Sequence, residues 1–124
     1  MPTTEQKLAV LNGYVAAFEV GDAEAAAALF AENATVEDPV GTPIKRGKAE
    51  IKEFYATSMA TGATLELLGP ARFGGDYVAF PFAVKLEWGG QKSVIEVIDT
   101  FRLNDEGKIV EMRAFWGPEN MKAA

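Results

Sequence analysis

YVAFPFAVKLEWGGQKSVIEVIDTFRL, residues 77–103, is the stretch whose reading decides the fold. From Tyr77 to Trp88, the residues Phe80, Phe82, Val84, Leu86 and Trp88 take alternate positions, which is the period of a strand with one face turned to a core. Gly89-Gly90 is the signal of a two-residue hairpin, because glycine enters the tight primed turns without steric cost. The return run, Lys92 to Leu103, places Ser93, Ile95, Val97, Asp99, Phe101 and Leu103 on one face, with Glu96, Thr100 and Arg102 on the other. Two long antiparallel strands are predicted, and a carboxylate stands on the apolar face of the second.

Working outward, Asn104-Asp105-Glu106-Gly107 is a turn into a last strand, Lys108 to Trp116, and the Ala/Lys tail after Pro118 is expected to fray. Upstream, Ala63–Leu68 and Ala71–Phe73 are short strands, and Gly74-Gly75-Asp76 turns the chain into the long hairpin. The first half reads differently. Thr3 with Gln6 has the form of a capping box, and Leu8, Leu11, Tyr14, Val15 and Phe18 recur at helical spacing until Gly21. Asp22 caps a second, alanine-rich helix expected over Ala23–Phe30. A short strand, Ala34 to Val40, ends in Pro39, Gly41 and Pro43, and a third helix spans Lys48–Met59 with Ile51, Phe54, Tyr55 and Met59 on one face. The order predicts an α+β fold in which three N-terminal helices pack on a strongly curved, mostly antiparallel sheet.

The 124 residues suit one domain, 1–124, and no internal repeat or linker divides them. Hydrophobic residues make up 48% and charged residues 24%, an ordinary globular balance. The net charge is −6 and no basic cluster exceeds Lys45-Arg46, so nucleic acid is not an expected partner. The longest apolar run, Ala25 to Ala31, is too short to span a bilayer, and the first ten residues lack the pattern of a signal peptide; no membrane association and a cytoplasmic location are expected. With no Cys and no His, thiol nucleophiles, disulfides, Ser-His-Asp triads and nearly every zinc or non-haem iron site lose their side chains. Carboxylates, Tyr, Lys, Arg, Ser and Thr are left to carry any chemistry. No metal and no other cofactor is expected, and no glycine pattern forms a phosphate cradle.

Three polar residues fall on apolar faces. Asp99 does so by strand parity; it is either a neutral acid kept out of water or the partner of a buried Arg or backbone amide. Asp38 shares parity with Ala34, Val36 and Val40, and either faces a pocket or initiates the Asp-Pro turn. Glu37 faces the opposite way and is not a catalytic candidate. Tyr14 lies between Leu11 and Phe18 on the buried stripe of its helix, as a core tyrosine or as a donor. Together, one phenol and two carboxyls inside an apolar interior form the constellation of a dry acid-base pocket. Phe54, Phe82, Val84, Val97, Phe101, Met112, Ala114 and Trp116 share the inward faces, which suits a flat apolar ligand.

The chain resembles the ketosteroid isomerases, or steroid delta-isomerases, of the nuclear-transport-factor-like cone fold. The segments that carry the likeness are NGYVAAFEVGD around Tyr14, LFAENATVEDPVG over 29–41, EFYA over 53–56, Val97-Ile98-Asp99 with FRLNDEGKI after it, and MRAFWG over 112–117. The resemblance implies a cone with an apolar pocket, Asp38 as general base, and Tyr14 and Asp99 as oxyanion donors. It further implies Tyr55 as a supporting hydrogen-bond partner, with Phe30 shortening that network because some relatives have tyrosine there. Phe54, Phe82, Val84, Met112 and Trp116 match positions that contact the steroid. The implied activity converts 3-oxo-Δ5-steroids to conjugated 3-oxo-Δ4-steroids without a cofactor, in a homodimer. The alternatives are a related cone-fold cyclase, dehydratase or epoxide hydrolase, or a non-catalytic steroid- or lipid-binding protein. Those enzymes commonly use His or Asp-Arg-Asp groupings, whereas this chain has no His and places Arg102 on the face opposite Asp99.

Overall fold

A computed structural model describes residues 1–124. Helices α1 (Thr4–Val20) and α2 (Ala23–Ala27) precede strands β1 (Phe30–Glu37) and β2 (Lys45–Arg46), and α3 (Gly47–Met59) follows. Strands β3 (Thr64–Leu67), β4 (Arg72–Gly74), β5 (Tyr77–Trp88), β6 (Gln91–Leu103) and β7 (Ile109–Phe115) complete the main sheet. A short 3-10 turn, Pro118–Asn120, leads into β8 (Met121–Ala123). The α+β class and the three-helix order match the expectation. No helix is long and apolar enough to cross a membrane.

The caps act as the sequence predicts. Thr3 Oγ1 accepts from the Gln6 amide at 3.1 Å while the Thr3 amide donates to Gln6 Oε1 at 2.8 Å, closing the capping box of α1. Gly21 ends that helix at φ 66°, a left-handed conformation that costs glycine nothing. Between them α1 buries Val10, Leu11, Tyr14, Ala17 and Phe18.

Helix α2 stops earlier than its alanine content suggests. Phe30 opens β1 instead, pairing in parallel with Ile109, and the Ile109 amide donates to Leu29 O at 2.9 Å. The side chain of Phe30 is fully buried. Burying that ring within a sheet outweighs local propensities that differ by less than about 1 kcal/mol per residue. β1 accordingly ends at Glu37 rather than continuing to Val40.

The sheet runs β2-β1-β7-β6-β5-β3, with β4 against β5 and β8 against β6. Only β1 and β7 pair in parallel. Register breaks at Phe30/Thr35 and Arg102/Leu103 bend the ladder, as extra residues in one strand do. Helices α1 and α3 cover the concave face, against β3 and β1 respectively. The tail is a correction to the expectation of fraying: Met121–Ala123 pairs with Ser93–Ile95, and the Ala124 amide donates to Lys92 O at 3.0 Å. A lone three-residue strand signal is too weak to read before its partner is known.

Candidate active site

Strand parity delivers Asp99. On β6, Ile95, Val97, Asp99, Phe101 and Leu103 are buried while Glu96, Ile98 and Arg102 are exposed. Asp99 stands opposite Phe80 of β5 and Ala114 of β7, is 0% exposed, and neither carboxyl oxygen has a hydrogen-bond partner in the protein. The buried-Arg and backbone-amide alternatives therefore do not describe it. Burial first, and the negative charge of Asp38 second, hold its pKa well above the usual carboxylate range. A neutral carboxylic acid has an O–H to donate, and here it has nothing in the protein to donate to.

Tyr14 is placed by α1 and is 2% exposed. Its hydroxyl lies 3.0 Å from that of Tyr55 on α3, and the two rings meet edge to face at 5.6 Å between centroids. Phe101 and Phe18 pack at 5.0 and 5.3 Å from the same ring. Desolvation raises both phenols well above their ordinary value, so both stay protonated. The Phe30 ring lies 5.8 Å from that of Tyr55 and brings no hydroxyl, so the hydroxyl chain ends at Tyr55.

Asp38 follows the last residue of β1 and is half-buried. The Trp116 indole Nε1 donates to its Oδ1 at 3.0 Å. Burial pushes the Asp38 pKa up and the Trp116 bond pulls against that. A partly buried carboxylate with a raised pKa and one oxygen free of protein partners is suited to take a proton. The neighbouring Glu37 is engaged elsewhere: its Oε2 accepts from the Gly41 amide at 3.1 Å and its Oε1 from Arg113 Nε at 3.2 Å. Glu37 does not line the cavity.

Tyr14, Asp38 and Asp99 open onto one cavity of about 550 Å³. Phe54, Phe82, Val84, Val97 and Trp116 form part of its wall, as expected. Met112 does not: it is 1% exposed and lies in the core, outside the cavity wall, as do Phe101 and Ala114. Strand parity gives the inward face but not which inward residues meet the cavity, and these three stay within the packed core. Tyr55 also stays behind the wall, where its hydroxyl meets that of Tyr14. Sequence reasoning missed the polar mouth, Thr57, Ser58, Thr61 and Glu87, although Ser58 and Thr61 follow Phe54 at helical i+4 and i+7 spacing. No three acidic, His or Cys side chains converge to hold a metal ion.

Comparison with known proteins shows the family. The SnoaL-like domain family matches residues 11–112. The steroid Delta-isomerase of Nocardioides simplex is 41% identical over 119 residues, covering 96% of this chain and 95% of that protein. The solved structure of SalBIII, an epoxide hydrolase/cyclase-like enzyme studied for pyran ring formation in the polyether salinomycin, superimposes with a TM-score of 0.93 at 30% identity, over 100% of both chains. The chain thus belongs to the SnoaL-like domain family, with the nuclear-transport-factor-like cone fold, and groups there with the steroid Delta-isomerases.

Proposed function

We propose that this protein is a steroid delta-isomerase that moves the double bond of a 3-oxo-Δ5-steroid into conjugation. The observation that carries the reading is the convergence of one base and two neutral donors on a single apolar cavity. The Asp38 carboxylate takes the proton from carbon 4, and the electron pair of that C–H bond moves through the ring to the carbonyl oxygen. Tyr14 and Asp99 donate to that oxygen as the dienolate forms. Asp38, now protonated, returns the proton to carbon 6, and the double bond comes to rest between carbons 4 and 5. For Tyr14 to donate to the ligand, Tyr55 turns its own O–H toward Tyr14, a rotation open to any hydroxyl.

The energetic logic is differential. Two preorganised donors in an apolar pocket favour a full oxyanion far more than the neutral ketone, so their stabilisation appears in the barrier rather than in substrate binding. An ionised Asp99 would repel the same charge, which is why its burial without a cation belongs to the mechanism.

Adding a 3-oxo-Δ5-steroid and following the ultraviolet absorbance of the conjugated enone tests the proposal; tight binding with no absorbance change would make the protein a binder. The likeness to SalBIII favours one second reading, ring closure or opening of an epoxide in the same cavity, and turnover of an epoxide but not of the steroid would select it. The proposal includes a homodimer through the outer face of β6, where Ile98 and Phe115 sit opposite each other in register and are 49% and 43% exposed. Sedimentation of the protein in solution checks that part.

A further inference from the structure

The cavity is longer than the ring system that the proton chemistry requires. Register gives its length in steps. Asp99 pairs with Phe80 at the inner end; next along the hairpin, Phe82 pairs with Val97, and beyond it Val84 pairs with both Ile95 of β6 and Leu65 of β3. The inward face of β5 then continues through Leu86 to Trp88, and all of these residues except Phe80 line the cavity. At roughly 3.3 Å per residue, Val84 stands about 13 Å, Leu86 about 20 Å and Trp88 about 26 Å of strand from the Asp99 level.

A four-ring ligand uses only the inner half of that length. Its carbonyl oxygen sits about 2.7 Å from the donors, as a hydrogen bond requires. From that oxygen to the far ring is about 11 Å at bond lengths of about 1.5 Å, so the far ring ends near Val84, Ile95 and Leu65. Beyond it the hairpin side of the wall stays apolar. Leu86 packs partly buried against the core, and Trp88, 74% exposed, carries the same inward face to the tip. The C-terminal strand braces this wall: pairing of β7 with β6 ends at Ile98, and β8 takes the edge beyond it, with Met121–Ala123 against Ser93–Ile95. On the α3 side, Thr57, Ser58 and Thr61 mix hydroxyl donors and acceptors, and no Lys or Arg lines the cavity to call for a charged end.

We propose that the outer half of the cavity, along Leu86 and Trp88, is a subsite for a neutral alkyl chain carried on the ring farthest from the enone. Resting on the isomerase reading, it makes the preferred substrates 3-oxo-Δ5-steroids that keep such a side chain, over those from which it has been removed. A chain of about six bonds adds about 8 Å at roughly 1.3 Å of advance per bond, enough to lie against Leu86 and the near side of Trp88. Partial burial on those two side chains takes about two methylenes' worth of apolar surface out of water, a preference of roughly tenfold. The chain is remote from the reacting carbons and touches the wall equally in ground and transition states, so the gain falls in KM and leaves kcat alone.

The test measures kcat and KM for two 3-oxo-Δ5-steroids that differ only in hydrogen or a branched alkyl chain at the far ring. A matched pair of phenolic steroids, differing in the same way, gives the ratio of dissociation constants without any turnover. Both ratios should favour the alkyl member about tenfold, and the kinetic one should do so through KM. Trp88→Ser, at an exposed position, should cut the preference to about threefold, and Leu86→Ala should lower it as well. Tyr77→Ser, at the other end of β5 and outside the cavity wall, should leave it in place. Each ratio compares two ligands on one protein, so a general loss of stability cancels from it, and Trp88→Ser carries the test if Leu86→Ala unfolds. A wild-type ratio of one or below, or a preference unchanged by Trp88→Ser, overturns the subsite, while turnover of the chain-free steroid keeps the isomerase reading standing. Absence of turnover and of phenolic-steroid binding with every ligand overturns the isomerase reading and the subsite with it.

Discussion

Trp116 Nε1 and Asp38 Oδ1 meet at 3.0 Å across 78 positions of sequence, the residue that follows β7 holding the residue that follows β1. The bond aims the carboxylate and lowers its pKa against the upward push of burial. Trp116→Phe keeps most of the ring and removes the donor. Asp38 should then titrate higher, and since the base must be ionised to work, the acid limb of the kcat/KM profile should move to higher pH. A hydrogen bond to a charged group supports a loss of roughly tenfold near that limb. A profile that kept its limb would show that Trp116 serves only as cavity wall.

Asp38→Asn removes the proton acceptor in a nearly isosteric side chain. Turnover should fall by about 100- to 10,000-fold, the usual range for a general base. A phenolic steroid, which mimics the dienolate oxygen, should bind as well as before, because Tyr14 and Asp99 still face it. Loss of both activity and binding would mark Asp38 as a structural turn residue.

The fold was legible wherever one period persisted over many residues. Tyr77–Trp88 and its return strand gave the hairpin, the outward Arg102 and the inward Asp99 from parity alone. Elements set by distant partners were not legible: Phe30 follows a run rich in alanine and is a strand residue only because Ile109 lies beside it. The same holds for the site. Tyr14, Asp38 and Asp99 could be placed on inward faces, but which inward residues reach the cavity is a matter of depth. Met112 and Val84 are both inward on their strands, and only Val84 meets the cavity.

Tyr55→Phe isolates the hydroxyl behind Tyr14. Tyr14 would lose its only hydrogen-bond partner in the protein and become a weaker donor to the oxyanion. A positioning role predicts a kcat reduced by roughly three- to tenfold, the scale of one neutral hydrogen bond, with KM little changed. Equal effects on kcat and on thermal stability, with KM rising, would instead point to general damage of the aromatic cluster.

Glu37 sits outside the cavity, yet it clamps the turn that carries Asp38, with one oxygen on the Gly41 amide and the other on Arg113 of β7. Glu37→Gln keeps the shape and halves the charge assistance. The turn should loosen, lowering kcat a few-fold while leaving the affinity for a phenolic steroid intact, and Arg113→Lys should act in the same direction. Unchanged kcat in both variants would separate the clamp from the chemistry.

Asp99 should announce its neutral state twice, in rate and in stability. Asp99→Asn still donates a hydrogen bond and should keep more activity than Asp99→Leu, which should lose about 100- to 1,000-fold, as expected for one oxyanion donor. The stability argument runs through proton uptake. Burial raises the folded-state pKa above the unfolded value of about 3.9, so between those two values the native protein holds one proton that the unfolded chain has released. The stabilisation from that proton is complete below the unfolded pKa and is lost as pH rises toward the folded one, by about 1.4 kcal/mol per pH unit for a single group. Asn carries no such proton in either state. Asp38 has a raised pKa too, but it is present in both proteins and largely cancels in their difference. Urea denaturation of wild type and Asp99→Asn from pH 4.5 to pH 7 should therefore show the wild type losing ground to the variant as pH rises. If the difference stayed flat, or if the wild type gained, Asp99 would be an ordinary ionised carboxylate in the folded protein, and it could not donate to an oxyanion.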